Sequence, residues 1–442
     1  MTSEFPCPVA LHAASRPSRP AIALDLEIIS YGRLDELIRT TSQRLSLGDF
    51  RSTHVGLLIE PDVAGITLLL ALLRAGAFPI LLPTRWPEAV AIGRAAALGC
   101  ATVLSSDRSE KTAAPHADTR PVDQPALAVF TSGSSGEPKA AVLSWQSLVA
   151  SAQGVADRLD FHPEDRWLLN LPLYHVSGLG VLVRTLLVGA SIAIPSPGSK
   201  PVQIWDALGV THASLVPTQL RRALGDGQPP PASLRAGLLG GSAMPPALLR
   251  AALKAGWPLS PSYGLTEMAS TVSISPSPLA ITSPTDAGLV LAGREVEIRD
   301  RHIHVRGSCR FDGYMGAVGL EKPFDADGWF DTKDLGHFDS NGFLHVIGRA
   351  DRMFVSGGEN IQPEEIERAL LTLPGIKRAK VEPIADPEFG FRPAAYLEVD
   401  GPLPPAGEVR NRLRDHLSGL MIPVVVYPLD PAAGDKIAGH QG

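Results

Sequence analysis

Between Val55 and Leu239 the chain keeps returning to one pattern, a short apolar run followed by a longer stretch of helical periodicity. The runs are Val55–Ile59, Leu127–Phe130, Trp167–Leu169, Ser191–Ile194, Ala213–Val216 and Ala236–Leu239. Runs this short, apolar on successive residues, read as strands buried on both faces, and strands that alternate with helices build parallel sheets with the helices outside. The chain is therefore read as α/β over most of its length. At 442 residues it is too long for one ordinary core, so at least two domains are expected.

The texture changes near Gly288. Glu295–Ile298, His302–Val305 and Phe343–Ile347 alternate polar with apolar residues, as half-buried antiparallel strands do, and predict a β-rich subdomain. A second change follows Gly348-Arg-Ala-Asp351, where a glycine turn, Ser356-Gly-Gly-Glu-Asn360, leads into a helix. Pro363 suits its first position, Glu364 and Glu365 favour the positive end of the dipole, and Ile366, Leu370 and Leu373 repeat at helical spacing before Pro374-Gly375. A strand over Arg392–Val399 and a helix with Leu413, Leu417 and Leu420 on one face complete the unit. The boundary falls near Asp351, giving a large domain over residues 1–350 and a small one over 351–442.

Composition removes several function classes. Forty Lys and Arg against 46 Asp and Glu give a net charge of -6 and a pI near 6.1, so nucleic acid is not an expected partner. Cys7, Cys100 and Cys309 form no Cys-x-x-Cys pair, which argues against a disulfide framework or a structural zinc site. Met1–Ala10 has an acid and two prolines where a secretory signal would be basic and then apolar. The most apolar stretch, Ile66–Leu73, is well short of the roughly 20 residues of a membrane span and reads as a core helix. The expectation is a cytoplasmic protein with no membrane insertion. Homo-oligomerisation is compatible with it. Arginine outnumbers lysine 31 to 9, so each lysine stands out.

The sharpest local signal is Thr131-Ser-Gly-Ser-Ser-Gly-Glu-Pro-Lys139, placed between the strand Leu127–Phe130 and what reads as an amphipathic helix. Gly133 and Gly136 let the backbone turn its N–H groups inward, while Thr131, Ser132, Ser134, Ser135 and Lys139 add donors; together they suit a polyphosphate. A flexible linker would not sit between a buried strand and a helix. A Walker loop is excluded because Glu137 and Pro138 separate the last glycine from the lysine.

This segment resembles the phosphate loop of the adenylate-forming enzymes, which include acyl-CoA synthetases, luciferases and peptide-synthetase adenylation domains. Four more segments occur in that family's order: Ser262-Tyr-Gly-Leu-Thr-Glu267, Gly328-Trp-Phe-Asp-Thr-Lys-Asp334, Gly348-Arg-Ala-Asp351 and Ser356-Gly-Gly-Glu-Asn-Ile361. The resemblance implies a large α/β domain of parallel-type sheets with a β-rich subdomain, joined by a hinge at Asp351 to a small mobile α+β domain. It implies that Tyr263, followed by Gly264, stacks on the adenine of ATP, that Thr266 donates to phosphate, and that Glu267 holds Mg2+. Asp334 would take the ribose hydroxyls and Arg349 the phosphate or ribose oxygens. Gly240-Gly241-Ser242-Ala243 resembles the adenine-lining segment. Read without the resemblance, the tyrosine segment would pass for a turn, Asp334 for a loop acid, and the Gly240 segment for an ordinary turn. Joining a carboxylate to ATP brings anions together, and in the family a C-terminal lysine enters the site for that step. Lys436, in Gly434-Asp-Lys-Ile437, is the candidate, although Asp435 departs from the family's Gly-Lys spacing; a frayed tail is the alternative. Thiol attack by coenzyme A would follow rotation about Asp351, with Gly357 and Gly358 facing the thiol channel.

The run His175-Val-Ser-Gly-Leu-Gly-Val-Leu-Val-Arg184 resembles that of 2-succinylbenzoate–CoA ligases of menaquinone synthesis. His175 is read either as a gate between acyl pocket and thiol tunnel or as a packed core histidine. Arg184 sits in an otherwise apolar helix, where a charge is costly unless paired; a dicarboxylate substrate would pair it, as would a buried acid, and it could also snorkel to the surface. Ser270 could add a donor to the acid's pocket. The resulting expectation is an ATP- and Mg2+-dependent acid–thiol ligase acting on 2-succinylbenzoate. The rivals are a ligase for another aryl or short acyl acid, a carrier-loading ligase, and a non-catalytic nucleotide-binding protein.

Overall fold

The computed structural model describes residues 4–45, 53–100, 102–106, 119–121, 124–131, 139–196, 201–225, 229–241, 244–276, 286–316, 319–414, 417 and 419–429. The expected positions Ser132, Gly133, Ser134, Ser135, Gly136, Ser242, Ala243 and Lys436 lie outside them.

Two large sheets carry the chain. In the seven-stranded one, Thr102–Ser105, His54–Leu58, Phe78–Leu81 and Pro125–Thr131 are parallel neighbours in that order. It then turns antiparallel through Lys139–Ser144, Gly313–Gly316 and Gly319–Glu321. The candidate phosphate segment therefore joins two antiparallel strands, and the expected helix directly after it is corrected to a strand. The reason is local: Ala140–Ser144 is buried on every residue, as in a strand covered on both faces, and the helix Trp145–Arg158 starts only after Ser144, whose hydroxyl accepts from the Ser147 N–H at 3.1 Å.

In the thirteen-stranded sheet, Ser191–Ala193, Arg166–Leu168, His212–Leu215, Ala236–Leu239 and Leu259–Leu265 are parallel. Antiparallel pairing begins where Leu259–Leu265 meets Ser270–Ile274, ahead of Gly288. It continues through Asp286–Val290, Leu344–Arg349, Phe330–Phe338, His302–Gly307 and Arg294–Arg299. The β-rich region is thus an extension of the large sheet: pairing of Ser273 with Val290 uses backbone groups that a separate sheet would leave at an edge. The helix Val63–Arg74 packs into the core as expected, capped by Asp62, whose carboxylate accepts from the Gly65 N–H at 2.7 Å. Its leucines 68, 69, 70, 72 and 73 are all buried, each contributing about 2 kcal/mol by area.

After Arg352 a separate apolar cluster forms around Phe354, Ile366, Leu370, Val381, Leu397 and Leu413. Gly357 and Gly358, at φ of 56° and 86°, make the two-residue turn of a hairpin between Phe354–Ser356 and Glu359–Ile361. This hairpin precedes the expected helix, Pro363–Leu370, which has Pro363 at its start. The last helix, Ala406–Leu413, ends before Leu417 and Leu420, so the single-face reading of these three leucines is corrected. Both later leucines still pack on the same cluster from the chain beyond the helix, which explains why their spacing imitated one.

Candidate active site

Side chains of both large sheets, far apart in sequence, come into contact around Tyr263, Glu267, Tyr314, Asp334 and Arg349. Tyr263 lies in the strand Leu259–Leu265, whose register with Ser270–Ile274 shifts between Tyr263 and Gly264. At Gly264 a Cβ would fall 2.2 Å from the Ser270 carbonyl oxygen, so only glycine lets the strands close there. The bulge re-aims the following turn, Thr266–Met268, toward the site. That turn is terminated under strain: Ala269 and Ser270 stand at φ of 51° and 123°, a region non-glycine residues occupy only when their surroundings compel it.

The residues expected to bind nucleotide form a chain of charge-assisted contacts. The Tyr263 hydroxyl donates to one Asp334 carboxylate oxygen at 2.6 Å, and Arg349 Nη1 donates to the other at 3.3 Å. Asp334 and Arg349 face each other across neighbouring strands, so the ladder itself sets their pairing. Burial pushes the Asp334 carboxyl up, against the lowering pull of the Tyr263 hydrogen bond and the Arg349 charge. Arg349 also grips Asp351 with two bonds, at 2.8 and 2.6 Å, and that carboxylate raises its affinity for the proton. Glu267 accepts from the Tyr314 hydroxyl at 2.5 Å; burial, then the Glu267 charge, keeps that phenol protonated. Lys139 Nζ lies 5.2 Å from the centroid of the same ring and 3.2 Å from a Glu321 oxygen. Tyr314 thus joins two expected site residues, Lys139 and Glu267. It was missed in the sequence, although the glycine before it, Gly313, marked a tight approach: a Cβ there would meet the Glu321 carbonyl oxygen.

Among the described residues no group of three His, Cys, Asp or Glu is placed to hold a metal unaided. Mg2+ on a nucleotide needs no such group, since it keeps its waters and bridges one or two carboxylates to phosphate oxygens. Glu267, with one oxygen oriented by Tyr314, fits that demand.

The residues expected to bind the acid lie on and beside the helix Val176–Val188. Gly178 lets this helix seat on the preceding loop, because a Cβ there would be 2.2 Å from the Pro172 carbonyl oxygen. His175 caps the helix and is half-buried, with its Nε2 accepting from Arg85 Nη1 at 3.5 Å, which leaves the ring proton on Nδ1. Burial and then Arg85 lower its pKa, which favours the neutral imidazole. Arg184 is 1% exposed, and its Nε and Nη1 have no hydrogen-bond partner. Snorkelling is therefore excluded, and among the described residues no carboxylate pairs with it. Burial, then repulsion from Arg294, pushes it down to about 9. A Cβ on Gly180 would lie 3.1 Å from Arg184 Nη2 and 3.6 Å from Ser270 Oγ, so both polar groups border the space above that glycine.

Residues 98–315 match the AMP-binding enzyme family. A 2-succinylbenzoate–CoA ligase of Salmonella typhimurium is 36% identical over 424 residues, covering 92% of this chain and 90% of its own. The chain belongs to the AMP-binding enzymes. A second family member, the 2-succinylbenzoate–CoA ligase of Haemophilus influenzae, is 38% identical over 312 residues, 69% of this chain and 67% of its own. Among solved AMP-binding enzymes, o-succinylbenzoate CoA synthetase from Bacillus subtilis in complex with the acyl-adenylate intermediate matches with a TM-score of 0.89 at 27% identity, covering 97% of this chain and 95% of that one. The same enzyme in complex with ATP and magnesium ion matches at 0.88. The fold described above is the adenylate-forming fold.

Proposed function

We propose that this AMP-binding enzyme is a 2-succinylbenzoate–CoA ligase, and that Arg184 binds the carboxylate that is not activated. The chain converts acid, ATP and coenzyme A into thioester, AMP and pyrophosphate. The observation that carries the acid assignment is a fully buried guanidinium with unpartnered N–H groups beside Ser270, an arrangement an anionic ligand completes and a fatty acid does not.

In the first half-reaction an oxygen of the reacting carboxylate attacks the α-phosphorus, an acyl–phosphate bond forms, and pyrophosphate leaves with the broken P–O electron pair. Tyr263 and Asp334 fix the nucleoside, Arg349 and Lys139 offset the phosphate charge, and Thr266 donates to the α-phosphate. Magnesium held at Glu267 would neutralise charge on the phosphate oxygens. Residues 132–136 cradle the triphosphate, 241–243 line the adenine, and Lys436 joins for this step only. In the second half-reaction the thiolate of coenzyme A attacks the acyl carbon and AMP departs. His175 gates its approach, and residues 351–442 turn about Asp351 as a small domain relative to residues 1–350. Among the described residues no helix is long and apolar enough to cross a membrane. Use of ATP and coenzyme A supports a cytoplasmic setting.

Arg184→Ala tests the reading. Pyrophosphate release and thioester formation are assayed with 2-succinylbenzoate and with a monocarboxylate analogue. The diacid preference is expected to collapse; unchanged diacid turnover refutes the assignment, and absence of pyrophosphate from any acid, with or without the Lys436 side chain, indicates a nucleotide-binding protein without catalysis.

A further inference from the structure

Arg184 is denied hydrogen bonds but not company. Its guanidinium carbon lies 4.2 Å from the centroid of the Trp167 ring. That ring is wholly buried, stacks on His212 at 5.1 Å and 30°, and meets Phe161 edge-on at 5.0 Å. Its Nε1–H donates to Ser214 Oγ at 3.2 Å. Trp167 and Ser214 belong to neighbouring parallel strands, Arg166–Leu168 and His212–Leu215, so the indole is fixed from below by the sheet and from the side by its stack.

Two consequences follow from elementary chemistry. A cation over an aromatic face is attracted without using any of its N–H groups, so the ring holds the guanidinium while leaving its donors free for an anion. The Nε1–H bond to Ser214 Oγ fixes the plane of that ring, and with it the seat of the guanidinium. His212 stays out of this. Burial pushes its pKa down to about 4, and the stacked imidazole adds no second positive charge at neutral pH.

We propose that Trp167 is a positioning residue for the acid site, holding Arg184 charged and aimed over its ring face; this rests on the dicarboxylate reading above. In this role Trp167 sets specificity through the guanidinium it orients.

The test compares Trp167→Phe, which keeps a ring face and loses the N–H, with Trp167→Leu, which loses both, each alone and with Arg184→Ala. KM and kcat are measured for 2-succinylbenzoate, a monocarboxylate analogue and ATP, with thermal melts alongside. Trp167→Leu is expected to raise KM for the diacid by about tenfold, with kcat and KM for ATP within about twofold. Trp167→Phe should fall between it and the native enzyme. With Arg184→Ala present, the further loss on changing Trp167 should shrink to about twofold or less. A diacid KM unchanged in Trp167→Phe, or an equal loss with and without Arg184, overturns the platform role. Should Trp167→Leu not fold, Trp167→Phe decides alone. If Arg184→Ala keeps the diacid preference, the substrate assignment fails and the platform with it; if Arg184→Ala abolishes that preference and neither Trp167 variant weakens it, the platform alone fails.

Discussion

Arg184 embodies a trade between stability and use. A lone buried cation is a cost in the unliganded protein, and replacing such a group by an apolar one of similar volume is often neutral or stabilising. Arg184→Met is therefore expected to raise the stability of the unliganded protein by about 1–3 kcal/mol while abolishing the thermal shift given by the diacid, checked by melts with and without 2-succinylbenzoate. Tyr314→Phe probes the other side. The ring contacts with Phe311 and Phe330 survive, but Glu267 loses the bond that orients it. The magnesium concentration for half-maximal pyrophosphate release should rise about tenfold. His175 supplies a pH prediction. Its pKa is lowered, so the neutral form persists below pH 6.5; removing the Arg85 charge raises the pKa, and Arg85→Gln should move the acidic limb of the thioester-forming step to higher pH. At this scale the sequence was legible for residues whose chemistry is explicit in a motif, such as Glu267, Asp334 and Arg349. It was silent on Trp167 and Tyr314, because a buried aromatic in a strand looks the same whether it fills space or steers a neighbour.

At the scale of elements, apolar runs located the strands well because burial on both faces leaves an uninterrupted signature. They misled after Lys139, where a buried antiparallel strand and the start of an amphipathic helix were run together, and near Leu417, where helical spacing outlasted the helix. The strained junction Ala269–Ser270 gave no sign at all, since neither residue type announces a positive φ. Gly264 did, and its role is testable: Gly264→Ala must part the two strands at the bulge, costing about 3 kcal/mol or more in chemical denaturation. The strand His212–Leu215 carries a pH dependence of its own. The folded-state pKa of His212 is depressed to about 4, so as pH falls below about 6.5 the unfolded chain binds a proton the folded one does not. Stability is lost through that window, by roughly 3 kcal/mol at its lower end.

For the whole molecule the informative place is around residue 350. Arg352 pairs with Glu364 and Glu367 of the helix Pro363–Leu370, at 2.8 and 2.7 Å, while Arg349 spans Asp334 and Asp351. The proposed pivot is therefore wired through Arg349 to Asp334 on one side and, through the adjacent Arg352, to the helix Pro363–Leu370 on the other. Asp351→Pro, which restricts one backbone torsion at the pivot, should leave pyrophosphate release within a few-fold and cut thioester formation at least about a hundredfold, measured as separate half-reactions.

Thr131 and Lys139 occupy opposite positions on one rung of the ladder, and the Thr131 hydroxyl donates to the Lys139 carbonyl oxygen at 3.3 Å. The sheet therefore asks nothing of the chain between them beyond its two ends. Lengthening or shortening that stretch changes only a slowly varying closure entropy, with no strand obliged to shift. The triphosphate grip proposed for that stretch can thus be retuned by insertion or deletion, independently of the acid pocket proposed around Arg184.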